Sequence, residues 1–229
     1  MKRKIAVLTG AGISAESGLS TFRDSGGLWE GHDVMSVASP EGWRRNKELV
    51  LEFYNQRRRQ MIKAEPNEAH LALVKLEDKF DVTIITQNVD DLHERAGSSD
   101  IIHLHGELNK ARSTADPELI YELNGKDINA GDKCEKGSQL RPHIVWFGEM
   151  VPKMEEAVYQ TYNADILIVV GTSLVVYPAA GLVDAVSDDT SVFIIDPVKP
   201  EYYSHRKNLN FILKKATTGT TELVEKLMN

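Results

Sequence analysis

Residues 8–24 read LTGAGISAESGLSTFRD and follow a short apolar run, residues 5–8, that is typical of a buried strand. Gly10, Gly12 and Ala15 match the G-x-G-x-x-G/A pattern of dinucleotide-binding loops. Glycines let the backbone turn tightly and approach a diphosphate, and the first amides of the following helix would face that diphosphate. The pattern alone is weak, because glycines after a strand also serve simply to turn the chain.

The segment after this loop departs from an ordinary dinucleotide-binding unit. Such a unit returns to a second parallel strand within about 30 residues, and an acidic residue there binds the adenosine ribose. Here residues 20–31 are polar and glycine-rich, residues 41–62 have the pattern of a helix, and the next apolar strand is 82–86. The layout therefore does not fit a hydride-transferring enzyme. Phe22 and Arg23 would lie beside the bound nucleotide, as an aromatic ring and a phosphate-binding cation.

Composition narrows the class of protein. A chain of 229 residues can bury one large core and a small additional one. The net charge of −7 argues against a nucleic-acid partner, and no stretch approaches the roughly 18 apolar residues of a membrane span. The predicted first strand leaves no room for a signal peptide. The single cysteine, Cys134, cannot form an internal disulfide, so we expect a cytoplasmic protein.

Apolar runs alternate with helical patterns along the rest of the chain. The predicted strands are 5–8, 82–86, 101–104, 143–147, 166–170, 192–195 and 211–213, and the predicted helices are 41–62, 67–79, 153–163, 179–187 and 221–228. Strands of nearly continuous valine and isoleucine are typical of parallel sheets covered on both faces. We therefore predict an α/β fold with a doubly wound, parallel, Rossmann-like sheet.

Two segments interrupt that pattern and predict a small second domain. Residues 20–65 are largely helical, and residues 107–140 are polar without a clear period. We expect them to pack together over the ligand cleft. The large domain would then consist of 1–19, 66–106 and 141–229.

Polar residues follow three predicted strands, at the edge where open α/β sheets bind ligands. They are Gln87, Asn88 and Asp90 after the second strand, His105 after the third, and Gly171, Thr172 and Ser173 after strand 166–170. Each group alone could be a helix cap or a turn. Their recurrence at successive strand ends favours a binding site. His105 in particular suits a general base for a ribose hydroxyl, although a lone histidine in a strand is usually structural.

Taken together, these residues resemble the sirtuin family of NAD-dependent protein lysine deacylases over essentially the whole chain. The matching motifs are GAGISAESG (10–18), TFRD (21–24), TQNVDDLH (86–93), HLHG (103–106), RPHIVWFGE (141–149) and GTSLVVYPA (171–179). The resemblance implies that NAD is a consumed substrate, cleaved at its nicotinamide bond. The acyl oxygen attacks the ribose carbon, and the 2′-hydroxyl then attacks the imidate, giving free lysine and O-acyl-ADP-ribose.

The resemblance also implies roles for individual residues. His105 falls on the general base, Asp90 on the residue that binds the carboxamide, and Asn88 on a ribose contact, and these three are the catalytic set. The implied NAD contacts are Gly10, Ala11, Gly12, Ile13, Ala15, Glu16, Phe22, Arg23, Trp29, Gln87, Asn88, Asp90, Gly171, Thr172, Ser173, Asp196 and Ala216. The implied acyl-lysine contacts are Val145, Phe147, Gly148, Glu149 and Val176, some of them pairing with the substrate backbone as an added strand.

A helical pair predicts which acyl groups are removed. Tyr54 and Arg57 are three residues apart, so they share one face of the predicted helix 41–62 and could bind a carboxylate together. The alternative is a solvated basic helix, since two further arginines follow. Tyr-x-x-Arg, with the small residue Ala38, resembles the sirtuin subgroup that removes succinyl, malonyl or glutaryl groups. We therefore expect acidic acyl-lysine as substrate, with acetyl-lysine also accepted.

The chain departs from the family where a structural zinc is usually bound. Most sirtuins carry two Cys-x-x-Cys pairs between the histidine-glycine motif and RPHIV. Residues 107–140 contain only Cys134, with Ser113 and Asp116 at the first pair and residues 137–138 at the second. A substitute site of Asp116, Cys134 and a histidine is the alternative. We predict a small domain without zinc or any other metal.

Other functions remain open at this point. A nicotinamide-linked dehydrogenase, an NAD or ADP-ribose sensor and a mono-ADP-ribosyltransferase would each bind the same nucleotide. A further departure is Asp196, where many relatives have asparagine, so the adenine-side contacts are less defined. We expect acyl-lysine proteins or peptides as partners, no nucleic acid, no membrane, and a monomer.

Overall fold

A computed structural model describes residues 2–21, 28–29, 31–200 and 208–229. Its main feature is a parallel sheet, which has six strands among these residues: β1 (Lys4–Thr9), β4 (Asp81–Thr86), β5 (Ile101–His103), β9 (Ile166–Val170), β10 (Ser191–Ile195) and β11 (Leu209–Ile212). Their spatial order is β5-β4-β1-β9-β10-β11, which is the doubly wound Rossmann order, so the predicted fold class is confirmed. The direction of winding reverses between β1 and β9.

The central strands are buried on both faces, which explains their continuous apolar sequences. Ile5 and Val7 pack into one core, whereas Ala6 and Leu8 pack into the core on the opposite face. The helices in the described residues are α1 (Ala11–Ser14), α2 (Val34–Val37), α3 (Pro40–Arg45), α4 (Lys47–Lys63), α5 (Glu68–Leu76), α6 (Leu92–Ala96), α7 (Met154–Tyr162), α8 (Leu182–Ala185) and α9 (Ala216–Met228). Helices α5 and α9 cover the first face, and α7 and α8 cover the second.

The predicted helix 41–62 is wrong as a single helix. The chain leaves helical geometry at Asn46, with φ −151° and ψ 86°, and the Asn46 side chain accepts a hydrogen bond from the Leu49 amide. Asparagine is a favoured N-cap because its side-chain oxygen satisfies an amide that lacks an intrahelical partner. The segment therefore forms α3 and then a separate long helix, α4.

A second, antiparallel sheet lies beside the main one and consists of β6 (Gly106–Ser113), β7 (Ile120–Glu122) and β8 (Leu140–Ile144), in the order β7-β6-β8. The prediction that 143–147 joins the parallel sheet is wrong, because 140–144 pairs antiparallel with β6. That run is apolar because Ile144 and Trp146 pack into a third core, with α2, α3 and α4. A two-residue pair, β2 (Leu28–Trp29) and β3 (His32–Asp33), completes the strands described.

The third core joins the two segments that were expected to form a small domain. It includes Val50 and Phe53 from α4 and Leu108 and Ala111 from β6. The domain boundaries themselves stay a prediction. None of the helices in the described part of the chain combines the length and apolar character needed to cross a bilayer.

Candidate active site

A cleft of about 920 Å³ runs along the carboxyl edge of the central sheet and extends to the small sheet. It includes the point where β1 and β9 lie side by side, where open α/β sheets bind ligands. The predicted site residues that line it are Gly10, Ala11, Gly12, Ala15, Glu16, Trp29, Ala38, Tyr54, Arg57, Gln87, Asn88, Asp90, His105, Val145, Phe147, Gly148, Glu149, Gly171, Thr172, Ser173, Val176, Asp196 and Ala216. The fold therefore brings predicted residues from distant parts of the chain into one cavity.

Three predicted residues stand apart from that set. The side chain of Ile13 is fully buried in the core with β1 and α5, so it does not face the cleft. Phe22 and Arg23 lie outside the described residues. Their assigned roles stay predictions.

The glycines after β1 allow two loops to touch. A Cβ on Gly12 would lie 2.6 Å from the Cα of Gly171, and a Cβ on Gly10 would lie 2.8 Å from the Gly171 carbonyl oxygen. Gly171 itself has φ +63°, and a Cβ there would lie 2.4 Å from the Ile13 amide nitrogen. These contacts are too short for any side chain. The glycines are therefore required for the packing of the β1 and β9 loops, whatever ligand they also admit.

The amides of this loop have partners within the protein. The Gly12 amide donates to the Gly171 carbonyl at 2.8 Å, and the Ile13 amide donates to the Gly10 carbonyl at 3.1 Å. Helix α1 is a single turn of four residues. The expectation that the first amides of a full helix face the ligand is therefore wrong for these two groups.

A buried polar cluster connects that loop to the end of β4. Asn88 donates through Nδ2 to the Gly10 carbonyl at 3.1 Å and to the Ser14 hydroxyl at 3.2 Å, and Ser14 donates to the Asp90 carboxyl at 3.1 Å. Burial raises the pKa of Asp90, although hydrogen bonds from Leu92 and Ser14 act against it. The cluster fixes the amide and carboxyl groups at one end of the cleft. Sequence reasoning missed Ser14, although it stands between Gly12 and Ala15.

His105 has the geometry of a base. Its Nδ1 lies 2.9 Å from the carbonyl oxygen of Gln87. Because a carbonyl can only accept, Nδ1 carries the proton and Nε2 is left as the basic nitrogen. Burial lowers the pKa of His105, with the Gln87 hydrogen bond acting in the opposite direction. The imidazole is therefore neutral at neutral pH, as a general base must be.

Tyr54 and Arg57 line the other end of the same cleft. Tyr54 is fully buried, and its hydroxyl oxygen accepts a hydrogen bond from the indole Nε1 of Trp146 at 3.1 Å. Burial raises the pKa of Tyr54, so the hydroxyl keeps its proton. The Arg57 guanidinium carbon lies 4.3 Å from the ring centre of Trp29, in cation–π geometry. This end presents a hydroxyl and a guanidinium cation, which suit a carboxylate.

The alternative of a solvated basic helix does not describe α4. Arg58 is fully buried and donates to the Leu108 carbonyl at 2.6 Å and to Asn55 at 2.8 Å. Arg59 lies on the surface and pairs with Asp127 at 2.6 Å. The three consecutive arginines thus point in three directions, and only Arg57 among them lines the cleft.

Glu149 lines the cleft, but its carboxylate is occupied inside the protein. It accepts hydrogen bonds from Arg141 at 2.7 Å, from Arg112 at 3.0 Å and from the Trp146 amide at 2.9 Å. Burial alone would raise the pKa of Glu149, and these hydrogen bonds and the nearby Arg141 and Arg112 charges lower it instead. The carboxylate is therefore bound within the protein, and the predicted role of Glu149 in pairing with the substrate backbone stays a prediction.

The candidate adenine-side residues line the part of the cleft next to the end of β10 and the start of α9. Asp196 is buried and accepts a hydrogen bond from the Val198 amide at 2.9 Å. The Glu16 carboxylate accepts from the amide and the hydroxyl of Thr217, at 3.1 and 2.9 Å. Ala216 is the first residue of α9 and directly precedes Thr217. The positions of Asp196, Glu16 and Ala216 fit the predicted nucleotide-binding end of the cleft.

The residues at the zinc-module positions contact one another. The Cys134 thiol lies 3.4 Å from the Ser113 hydroxyl, and Asp116 forms an ion pair with Lys136 at 2.6 Å. One thiol, one hydroxyl and one carboxylate that is paired with a lysine do not fit a structural zinc, which takes four ligands from cysteine, histidine or carboxylate side chains. The absence of zinc stays a prediction.

The cleft also includes residues that sequence reasoning did not single out. They are Ser14, Leu19, Ser20, Thr21, Met61, Val89, Leu108, Ile144, Trp146, Val151, Val175, Tyr177, Pro178, Pro197 and Lys215. Several of these residues lie within the quoted motifs, so the neighbouring site residues already indicated them. The others lie on elements for which the sequence did not show which side chains face the cleft.

Comparison with known proteins gives the family. The model of the Sir2 family matches residues 10–178, more than half of the chain. A protein of Helicobacter pylori (strain J99) named NAD-dependent protein deacylase is 54% identical over 226 residues, covering 99% of this chain and 96% of that protein. A protein of Bacteroides thetaiotaomicron with the same name is 51% identical, covering 99% and 98%.

Solved structures agree with these matches. A mutant Sir2 homologue in complex with ADP-ribose has a TM-score of 0.90 and 39% identity, covering 99% of this chain and 92% of that one. A Sir2 homologue in complex with NAD has a TM-score of 0.88 and 39% identity, covering 99% and 90%. Sir2 bound to an acetylated peptide has a TM-score of 0.81 and 29% identity, covering 99% and 94%. On the family match, the relatives and the shared fold together, this chain belongs to the Sir2 family.

Proposed function

We propose that this protein is an NAD-dependent protein lysine deacylase that removes acidic acyl groups, succinyl and malonyl, and also accepts acetyl-lysine. The products are nicotinamide, O-acyl-ADP-ribose and free lysine. The observation that carries the proposal is that one cleft is lined both by Tyr54 and Arg57 and by His105 and Asp90. The relatives named NAD-dependent protein deacylases and the NAD complex of a Sir2 homologue support NAD-dependent deacylation, without distinguishing the acyl group.

The nucleotide end supplies binding and proton transfer. NAD supplies the ribose carbon that bonds to the acyl oxygen as nicotinamide leaves. Asp90 and Asn88, held by Ser14, would bind the carboxamide and the ribose. His105 then accepts the proton of a ribose hydroxyl at Nε2, because Nδ1 is held by the Gln87 carbonyl. A nucleotide sensor or an ADP-ribosyltransferase would not require this base, so the His105 tautomer favours deacylation.

The acyl end would supply the specificity. A succinyl or malonyl group ends in a carboxylate, and a guanidinium with a hydroxyl binds that group by charge-assisted hydrogen bonds. Arg57 stacks on Trp29, which restricts the positions that its guanidinium samples. Ala38 lines the same cavity, and its carbonyl accepts the Phe147 amide at 2.9 Å. A small side chain there leaves room for the longer acyl group.

Location and assembly belong to the same proposal. The lone Cys134 is buried as a free thiol beside Ser113, which supports a reducing compartment such as the cytoplasm. We retain the prediction of a monomer that acts on acyl-lysine proteins or peptides.

The test is a panel of acetyl, malonyl, succinyl and glutaryl peptides with NAD, with nicotinamide release as the readout. Arg57→Met should lower kcat/KM for succinyl-lysine by about 100-fold or more, the effect of removing a bidentate charged contact, and for acetyl-lysine by much less. Arg59→Met, on the same helix but on the surface, is the matched control and should change neither value. Equal losses for both acyl groups in Arg57→Met would contradict the acidic preference.

A further inference from the structure

Trp146 is held firmly at the acyl end of the cleft. It is 2% exposed, its backbone amide donates to Glu149 at 2.9 Å, and the Arg141 guanidinium carbon lies 3.2 Å from its ring centre. The Trp43 ring also packs against the Trp146 ring, with 5.7 Å between the ring centres. The Arg141–Glu149 ion pair therefore holds Trp146 at two points, since Arg141 lies over the indole ring and Glu149 accepts from the Trp146 backbone amide.

The fixed indole determines what the Tyr54 hydroxyl can do. Indole Nε1–H is only a donor, so at 3.1 Å the Tyr54 oxygen must accept from it. A phenol has a single proton, and with Trp146 occupying an acceptor position that proton is directed elsewhere. Tyr54 lines the cleft together with Arg57, which is one turn further along α4. Burial raises the pKa of Tyr54, so the proton is present throughout the neutral range.

We propose that Trp146 is a specificity-positioning residue: its indole N–H fixes the Tyr54 hydroxyl so that the Tyr54 proton is donated to the carboxylate of an acidic acyl group. Trp146 acts through Tyr54 and also forms part of the cavity wall. It has no role in breaking the bond to nicotinamide. The inference rests on the proposed function, since it requires a substrate that carries a carboxylate. It predicts a selective effect on acidic acyl groups rather than a general one.

The experiment is a double-mutant cycle on kcat/KM for succinyl and acetyl peptides. Trp146→Phe keeps an aromatic ring and removes the N–H, and should lower kcat/KM for succinyl-lysine about tenfold, as expected for weakening one hydrogen bond to a charged group. For acetyl-lysine the change should stay within about twofold on the same grounds, because no carboxylate is present. Tyr54→Phe should show the same selectivity. The double variant should be no slower on succinyl-lysine than Tyr54→Phe alone, because both changes remove one shared interaction.

Trp43→Phe is the matched control, since it alters the ring packed on Trp146 and leaves the Trp146–Tyr54 hydrogen bond in place. It should change both acyl activities equally. If Trp146→Phe does not fold, site-specific benzothienylalanine at position 146 replaces the N–H by sulfur with nearly the same ring shape. If the unmodified protein shows no preference for succinyl over acetyl, the proposed function fails. If that preference is present and the Trp146 variant loses both activities equally, or the cycle is additive, the inference is overturned.

Discussion

The two ends of the cleft are held by different kinds of contact. The nucleotide end is held by backbone contacts, because the loops after β1 and β9 touch through Gly10, Gly12 and Gly171. The acyl end is held by side-chain contacts, because the Trp146 indole donates a hydrogen bond to the Tyr54 hydroxyl within the third core. Backbone contacts need specific residues at specific positions and leave a recognisable motif, whereas side-chain contacts between distant segments do not. The nucleotide end should therefore tolerate fewer substitutions than the acyl end.

The largest expected effect is at the nucleotide end, from His105→Ala. Removing the general base should lower kcat by about 10²–10⁴-fold, while NAD binding is retained. Nicotinamide release and NAD titration by calorimetry measure the two quantities separately. Because burial lowers the pKa of His105 from 6.5, the neutral base persists to more acidic pH, so the acid limb of kcat/KM should have its midpoint below 6.5. An acid midpoint above 6.5, or full activity in the variant, would remove His105 from this role.

The next effect tests the contact between the two loops. In Gly12→Ala the new Cβ would lie 2.6 Å from the Gly171 backbone, which cannot rotate away, so the free energy of unfolding should fall by about 1–3 kcal/mol. Urea denaturation measures the loss, and NAD affinity should fall with it. Gly181→Ala is the control, because its φ is −67° and the nearest atom to a new Cβ is 3.9 Å away. Equal stability of the two variants would show that the loops separate easily.

The same contrast explains what the sequence could predict. Strands such as 5–8 and 166–170 were found because burial on both faces makes them continuously apolar. Strand β6 was missed because Leu108 and Ala111 are its only apolar side chains, and a bulge between Glu107 and Ala111 interrupts its pairing with β8. The break at Asn46 was missed because a cap within a helical pattern resembles an ordinary polar position.

At the site, helical spacing placed Tyr54 and Arg57 on one face, as the structure has them. It could not separate Arg57 from the buried Arg58, since a guanidinium bonded to the Leu108 carbonyl gives no sequence signal. The Trp146–Tyr54 hydrogen bond joins residues 92 apart along the chain, and only the packing of α4 on the small sheet brings them together. The occupied Glu149 carboxylate was missed because its partners Arg141 and Arg112 lie on β8 and β6, whose antiparallel pairing was not predicted.

Lowering the pH should reduce the free energy of unfolding by a smaller amount, and the groups at the two ends should respond at different pH values. Beneath the nucleotide end, His70 and His93 lie with ring centres 4.9 Å apart, and burial lowers the pKa of His70 from 6.5 to about 4. Between these values the unfolded chain binds a proton that the folded chain does not, so stability falls as pH falls from 6.5 toward 4. At 1.36 kcal/mol per pH unit, His70 removes about 2 kcal/mol by pH 5.

His70→Gln should reduce the loss of stability between pH 7 and pH 5, measured by urea denaturation at each pH. The acyl end responds at lower pH, because the lowered pKa of Glu149 keeps the ion pair with Arg141 until the pH falls through that lower value. Glu149→Gln should therefore leave the pH 7-to-5 slope unchanged. If His70→Gln and the unmodified protein lose the same free energy of unfolding between pH 7 and pH 5, the fold does not hold the His70 imidazole neutral.

The smallest effect is expected at Cys134, in the segment between β7 and β8 of the small sheet. Its thiol lies 3.4 Å from the Ser113 hydroxyl, and serine can make the same hydrogen bond, so Cys134→Ser should change the free energy of unfolding by less than about 1 kcal/mol. Activity should be unchanged, and a chelator should not lower the melting temperature of either form. A structural zinc would behave in the opposite way, since its loss removes folding energy directly. One zinc per chain by mass spectrometry, with a large loss of stability in Cys134→Ser, would overturn the prediction and make the segment between β7 and β8 a metal-dependent part of the fold.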